Sequence, residues 1–317
     1  MLISIITLAV DSSKYLGEAI DSVEHAGAFD LEHLVVHDGD DAFADALRQK
    51  YPAIKVLKGR GEGATAAAAL GVDAATGDFI LLLHSDDRLC PGALARLAVE
   101  AAARPDVKIW TGRARIFRTL PDAHEATVRS MVDRELTLLS LDNVCDAAPL
   151  LSARFCHRTV FSQIGNFDST FSECSDREFL LRAVLAGVSE ASLDVMVSEM
   201  RMHDGSRTIQ HRSGWVPPYL AEHARLAEQW CARPGVARRT RRFLRNWRAR
   251  EMLRLLLHQC RAGEWKQAAA GFLAEELKDP LWLCRIATVM AVQRRRHHGQ
   301  YEPGTPGRPL VQEASNQ

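Results

Sequence analysis

Nowhere in its 317 residues does this chain place two cysteines in a C-x-x-C spacing. Its seven cysteines, an odd number, stand far apart at Cys90, Cys145, Cys156, Cys174, Cys231, Cys260 and Cys284. Neither a disulfide framework nor a thiolate zinc site is suggested, and reduced thiols in a cytoplasmic protein are the expectation. A net charge of either sign is also missing. With 40 Lys and Arg against 40 Asp and Glu, no overall field argues for nucleic acid as a partner. Long apolar runs are absent too. Residues 2–10 fall far short of the ~20 that a membrane span needs. They have no basic segment before them and read as a first strand rather than a signal peptide. The apolar run 281–292 is broken by Arg285 and is likewise short. What remains is an ordinary folded composition, 47% hydrophobic and 25% charged, without an internal repeat.

The first ninety residues alternate between two hydrophobic periods. β-Branched residues make 2–10 strand-like. Ser12 and Ser13 then offer N-cap side chains for a helix whose Tyr15, Leu16, Ala19, Ile20 and Val23 share one face. Strand patterns recur at 34–36, 54–57 and 79–83. Between them lie helix patterns around Phe43, Ala46 and Leu47 and over 64–76, where alanine favours helix and Gly77 stops it. This βαβαβαβ order predicts a parallel sheet with right-handed crossovers. A helix over 91–103 follows, then strands at 108–111 and 114–118 around Gly112. Further expectations are a helix over 127–141, a return to the sheet within 150–161 and a helix over 176–186. Pro217 and Pro218 mark a boundary, after which the chain reads as helices, and from 299 the composition is that of a disordered tail. The expected organisation is an α/β domain over 1–215, with halves 1–112 and 113–215, a helical region 216–298 and a tail 299–317.

Three acidic stations stand in order along this frame. Asp38 lies in His37-Asp38-Gly39-Asp40-Asp41, after the second strand. Asp86 and Asp87 end the all-apolar run Phe79 to Leu83, at the carboxyl rim where open α/β sheets bind ligands. Asp176 opens a helix in Ser175-Asp176-Arg177-Glu178-Phe179. Two carboxylates on a rim offer hard oxygen ligands to a divalent cation that also holds phosphates, and a third can act as a base. Each has a plainer reading. Asp86 and Asp87 could form a solvated turn, and Asp176 could be a first-turn acid favoured by the helix dipole.

Three stretches together resemble the family-two inverting glycosyltransferases, over roughly residues 1–210. They are Ser4-Ile5-Ile6-Thr7, Ala75-Thr76-Gly77-Asp78-Phe79-Ile80 leading to His84-Ser85-Asp86-Asp87, and Phe167-Asp168 leading to Ser175-Asp176-Arg177-Glu178-Phe179. The resemblance implies a GT-A, Rossmann-like α/β fold: a mostly parallel central sheet with helices on both faces, plus a C-terminal helical extension. The halves 1–112 and 113–215 would then serve the nucleotide sugar and the acceptor. It implies metal-dependent transfer of a sugar, with inversion, from a nucleotide-diphospho-sugar (a UDP-sugar favoured) to a hydroxyl of a carbohydrate or lipid-linked acceptor. Surface polysaccharide or glycoconjugate synthesis is the expected setting. Carried over position by position, Thr7 and Asp38 go to the nucleoside. Asp86 matches the last Asp of the D-x-D signature, at the Mg²⁺ or Mn²⁺ and the diphosphate, with Asp87 beside it. Asp176 matches the general base, and His203 is a further candidate at the phosphates and metal. The chain also departs from the pattern. His37 and His84 stand where acids are usual, Ser175 replaces a Glu, and Ala66 and Ala69 occupy positions that are often polar.

Between residues 233 and 261 arginines are interleaved with Phe243, Leu244 and Trp247. That pattern suits either a helix with a solvated basic face or a peripheral contact with the inner face of an anionic membrane. Two other readings of the whole chain stay open. Gly59-Arg60-Gly61-Glu62-Gly63-Ala64 after a strand imitates a dinucleotide fingerprint and an NAD-dependent enzyme, and the departures above would suit a non-catalytic binding or assembly protein.

Overall fold

The computed structural model describes residues 1–9, 14–26, 30–120, 123–131, 138–146, 150–203, 206 and 217–288. The chain divides into two compact units, Met1–Leu226 and Ala227–Gln317.

In the first unit the strands are β1 (Ile3–Ala9), β2 (Leu31–His37), β3 (Lys55–Lys58), β4 (Phe79–His84), β5 (Arg88–Leu89), β6 (Ile109–Thr119), β7 (Glu125–Met131), β8 (Arg154–His157) and β9 (Glu190–Arg201). The helices are α1 (Leu16–Glu24), α2 (Asp41–Lys50), α3 (Ala64–Ala74), α4 (Ala93–Ala103), α5 (Leu141–Asp146), α6 (Arg158–Ile164) and α7 (Ser175–Leu185); α8 (Pro217–Ala232) crosses the unit boundary. The sheet runs β3-β2-β1-β4-β8-β6-β9-β5, with β7 paired to β6. β1 lies between β2 and β4, parallel to both, with Ile6 opposite Leu34 and Leu82. A central strand covered on both faces is built largely from apolar residues, and β1, apart from its hydrogen-bonded Ser4 and Thr7, and the first five residues of β4 follow that rule and are buried. One face packs Ile3, Ile5, Leu81 and Leu83 against Ala19 and Val23 of α1 and Leu94 and Leu97 of α4. On the other face α3 comes so close that a Cβ at Gly71 would stand 2.4 Å from Ile6 Cγ2. Helices on both faces of the parallel strands β1 to β4 are the architecture expected from the alternating pattern, but the sheet as a whole is mixed rather than mostly parallel, because β5, β7 and β8 pair antiparallel.

The second half of the sheet departs from expectation in places. Residues 109–119 form one strand through Gly112, with register shifts against β9 at 111–114. Residues 127–131, expected in a helix, belong to β7, antiparallel to β6; residues 132–137 lie outside the described residues, and Leu141–Asp146 is helical. Of 150–161, only Arg154–His157 joins the sheet. Helix α1 starts at Leu16 without a side-chain cap, and Ser12 and Ser13 lie outside the described residues. No helix among the described residues is long and apolar enough to cross a membrane.

Inside the sheet, His33 is buried and hydrogen-bonded to the Thr7 hydroxyl at 2.8 Å. Burial pushes its imidazole pKa down from 6.5 to about 4. The unfolded chain therefore takes up a proton that the folded one refuses, and this stability is lost as pH falls from 6.5 towards 4. A His33→Gln variant keeps a partner for Thr7 but does not titrate. Urea unfolding at pH 7 and pH 5 should show it losing about 2 kcal/mol less than the parent over that interval; equal losses would mean that His33 titrates normally.

In the second unit the helices are α9 (Arg238–Arg261) and α10 (Trp265–Lys278), and residues 282–288 are also helical. Ala249 and Leu256 of α9 pack with Trp282 and Ile286. Much of the basic face of α9 is engaged at home: Arg248 pairs with Glu228 and Glu275, and Arg250 and Arg254 with Glu251.

Candidate active site

Because β1 to β4 are parallel, their carboxyl ends share one rim. Asp38 follows β2 directly. Its Oδ1 accepts the Gly61 N–H at 3.1 Å, and the Gly59 N–H donates to the His37 carbonyl at 2.7 Å. A Cβ on Gly59 would fall 2.0 Å from Asp38 Oδ1, so glycine alone lets the loop after β3 lie against this carboxylate. The glycines are thus committed to holding Asp38, at the end of the edge strand β3. A dinucleotide loop belongs after a central first strand, and the imitation ends there.

Asp86 and Asp87, adjacent in sequence, have opposite environments. Asp87 is buried and its Oδ1 accepts the Arg201 N–H at 3.0 Å. Burial, then the neighbouring Asp86 charge, hold its pKa well above the usual carboxylate range, against the pull of Arg201. Its role is to fasten the end of β9 to the rim. The Asp86 carboxylate is partly open, with Oδ2 3.0 Å from His203 Nε2. An oxygen and an imidazole nitrogen at that separation can converge on one cation. Among the described residues no group of three or more His, Cys, Asp or Glu could hold a metal. A pair is nevertheless sufficient where substrate phosphates complete the coordination, as is usual for Mg²⁺.

Residues that sequence patterning did not single out hold His203 in place. The Arg201 guanidinium donates to Thr119 Oγ1 at 2.9 Å and to the Asp86 carbonyl at 3.3 Å, and pairs with Glu18 at 2.6 Å. It lies 4.2 Å from the centroid of the Tyr15 ring, which in turn lies 5.4 Å from the His203 ring. Arg88 and Arg115 extend this network through Glu18, Glu125 and Glu199, packed over Phe117. Three guanidiniums and three carboxylates thus brace the rim beside Asp86.

Asp176 is the second residue of α7 and is exposed, its Oδ1 accepting the Arg177 N–H at 2.7 Å. Its neighbours turn inward. Arg177 donates to the Val144 and Cys145 carbonyls, and Glu178 binds Arg182. Glu222 accepts the N–H groups of Ser172, Glu173 and Cys174, which fixes the segment leading into the helix. Two links bring Asp176 to the shared rim. The Phe171 carbonyl accepts the Thr65 hydroxyl at 3.0 Å, in the first turn of α3. The Asp176 charge also acts on the buried guanidinium of Arg154, whose pKa is lowered by burial and raised in part by Glu190 and by Asp176. Arg154 stands two residues before Cys156, which faces Ile80, on the side towards the carboxyl end of β4.

The structure sets Asp38 just past β2, pairs Asp86, just past β4, with His203, exposes Asp176 in the first turn of α7, and keeps Thr7 inside the sheet on His33. His84 ends β4 exposed, and Ser175 is partly exposed at the start of α7. His37 is buried near the Phe43 ring, its pKa lowered by burial and by Arg48 and Lys58. Ala66 and Ala69 are half-buried, and the Ala69 carbonyl accepts from Asn166 at 2.9 Å.

Residues 4–149 match the model of glycosyl transferase family 2. A stretch of 115 residues is 36% identical to the O-antigen biosynthesis protein RfbC of Myxococcus xanthus, covering 34% of this chain and only 9% of that much longer protein. The fold is similar to that of S. aureus TarS residues 1–349 in complex with UDP-GlcNAc. That match has a TM-score of 0.59 and 16% identity over 80% of this chain and 72% of that one. The UDP complex of the same TarS fragment superposes with a TM-score of 0.53 and 15% identity, over 88% and 92% of the two chains.

Proposed function

We propose that this protein, whose residues 4–149 match the model of glycosyl transferase family 2, transfers a sugar, with inversion, from a nucleotide-diphospho-sugar to an acceptor hydroxyl in polysaccharide synthesis. The observation that carries this reading is the partly open Asp86 carboxylate paired with His203 at the carboxyl end of β4, with Asp38 at the end of β2 and Asp176 exposed in the first turn of α7. The TarS fragment similar in fold was solved with UDP-GlcNAc and with UDP, which favours a UDP-sugar and a hexosyl group here too.

Asp38 has one oxygen tied to Gly61 and offers Oδ2 to the nucleoside. Thr7 supports that end of the site from within β1 rather than by touching the donor. Asp86 and His203 face the diphosphate, while Asp87 holds the strand that carries His203. Mg²⁺ or Mn²⁺, held by Asp86 and His203, would offset the negative charge that grows on the leaving diphosphate. The acceptor oxygen attacks the anomeric carbon from the face opposite the diphosphate. As the new C–O bond forms, the bond to the diphosphate breaks, the electron pair leaves with it, and the acceptor proton passes to Asp176. Residues 113–215 would shape acceptor choice, including a lipid-linked acceptor reached from the inner face of a membrane.

The test is proton NMR of the chain incubated with UDP-, GDP-, dTDP- and CDP-sugars and Mn²⁺. One donor should release its nucleoside diphosphate, and the freed or transferred sugar should carry the anomeric configuration opposite to the donor's. Retained configuration, or NAD⁺ reduction in place of diphosphate release, would overturn the reading.

A further inference from the structure

The second unit is built with its polar groups inward and its apolar groups outward at α10. The residues of this helix buried against its neighbours are Ala268 and Glu275, the latter held by Arg248, while Gly271 sits against Leu256. The large apolar side chains project into solvent. Trp265 is 66% exposed, Leu273 60% and Leu277 77%; Leu281 and Leu283, just after the helix, are exposed too, and Phe272 is partly so, its ring edge-on to Trp282. A helix on a fully solvated protein has the opposite arrangement, and a contiguous apolar surface of this kind marks an interaction site.

Charge identifies what covers it. Residues 227–288 hold 13 Lys and Arg against 6 Asp and Glu, in a chain that is neutral overall. Four of those acids, Glu228, Glu251, Glu275 and Asp279, are engaged by the unit's own cations. Arg238, Arg239, Arg242, Arg245 and Arg261 of α9 and Lys266 of α10 remain exposed in the same unit. A second copy of the chain would bring the same positive charge against itself, so self-association through this face is opposed. Side chains exposed to this degree protrude and do not line a groove, which suits insertion into a fluid phase better than seating a partner helix. A protruding apolar face with an aromatic at its end and a cationic surround is the chemistry of an amphipathic helix at a lipid interface.

We propose that the outward face of α10, with Leu281 and Leu283, docks this protein on an anionic lipid surface. The contact surface is thus α10 and not the arginine-rich α9. It stands independently of whether residues 4–149 turn over a nucleotide sugar. The experiment is co-sedimentation of the full chain with phosphatidylcholine vesicles, with and without phosphatidylglycerol. A double variant, Leu273→Glu with Leu277→Glu, runs in parallel. Both positions are exposed, and unchanged thermal melting will show that the variant folds. Binding to the anionic vesicles, weakened more than about tenfold by the two glutamates, is expected. Equal binding by both proteins would overturn the proposal. So would absence of binding by the parent, or a concentration-dependent doubling of mass that the glutamates abolish.

Discussion

Replacing Asp176 by Asn is expected to lower kcat for sugar transfer by about a thousandfold while UDP affinity stays within about twofold of the parent. The geometry makes this a clean substitution. Asp176 is exposed in the first turn of α7, and its contact there is an accepted hydrogen bond from the Arg177 N–H, which the Asn oxygen can keep. Arg177, Glu178 and Glu222, which position the helix, are untouched. What disappears is the one property a general base needs, a carboxylate that can take a proton from the attacking hydroxyl. A lost base contributes only in the transition state, so kcat and kcat/KM should fall together. Turnover close to the parent's would remove Asp176 from this role, and a parallel loss of UDP binding would make it a donor residue instead.

How much of this could be read from sequence depends on how local each cause is. Strands β1 and β4 were legible because a strand buried on both faces is dominated by apolar and β-branched residues, uninterrupted in the first five residues of β4 and broken in β1 only by Ser4 and Thr7, and the run of β4 stops just before a carboxylate pair. β7 was not. Its residues are mostly exposed, so burial imposes no alternation, and its place is set by pairing with β6 and by Glu125 meeting Arg88 and Arg115. In the site, Asp38, Asp86 and Asp176 could be picked out because each sits just past an element boundary. Thr7, one strand face away, goes to His33, and the sequence has no marker for that pairing. Asp87 looks like Asp86 in sequence and differs only because β9 returns to bury it.

The clamp around His203 was invisible for the same reason. Arg201 meets the Asp86 carbonyl across 115 residues of chain, and no local pattern encodes that contact. In the C-terminal unit, the spacing of Trp265, Phe272, Leu273 and Leu277 is that of a helical face, but spacing cannot say whether the face is buried. Arg248 answers that question by drawing Glu275 inward, which turns the leucines out.

Asp86→Ala carries the second large effect, because this carboxylate joins the donor diphosphate to the divalent cation in the proposed mechanism. The substitution removes the Oδ2 that faces His203 but leaves Asp87 on Arg201, so β9 keeps its anchor and the fold should be retained. The decisive measurement is calorimetric titration of UDP into the parent and into Asp86→Ala, each with and without Mn²⁺. The parent should bind UDP at least about tenfold more tightly with Mn²⁺, a gain of about 1.4 kcal/mol or more. The variant should bind UDP weakly and equally under both conditions. Equal affinity in both proteins, with or without Mn²⁺, would contradict the assignment of this rim as the diphosphate site.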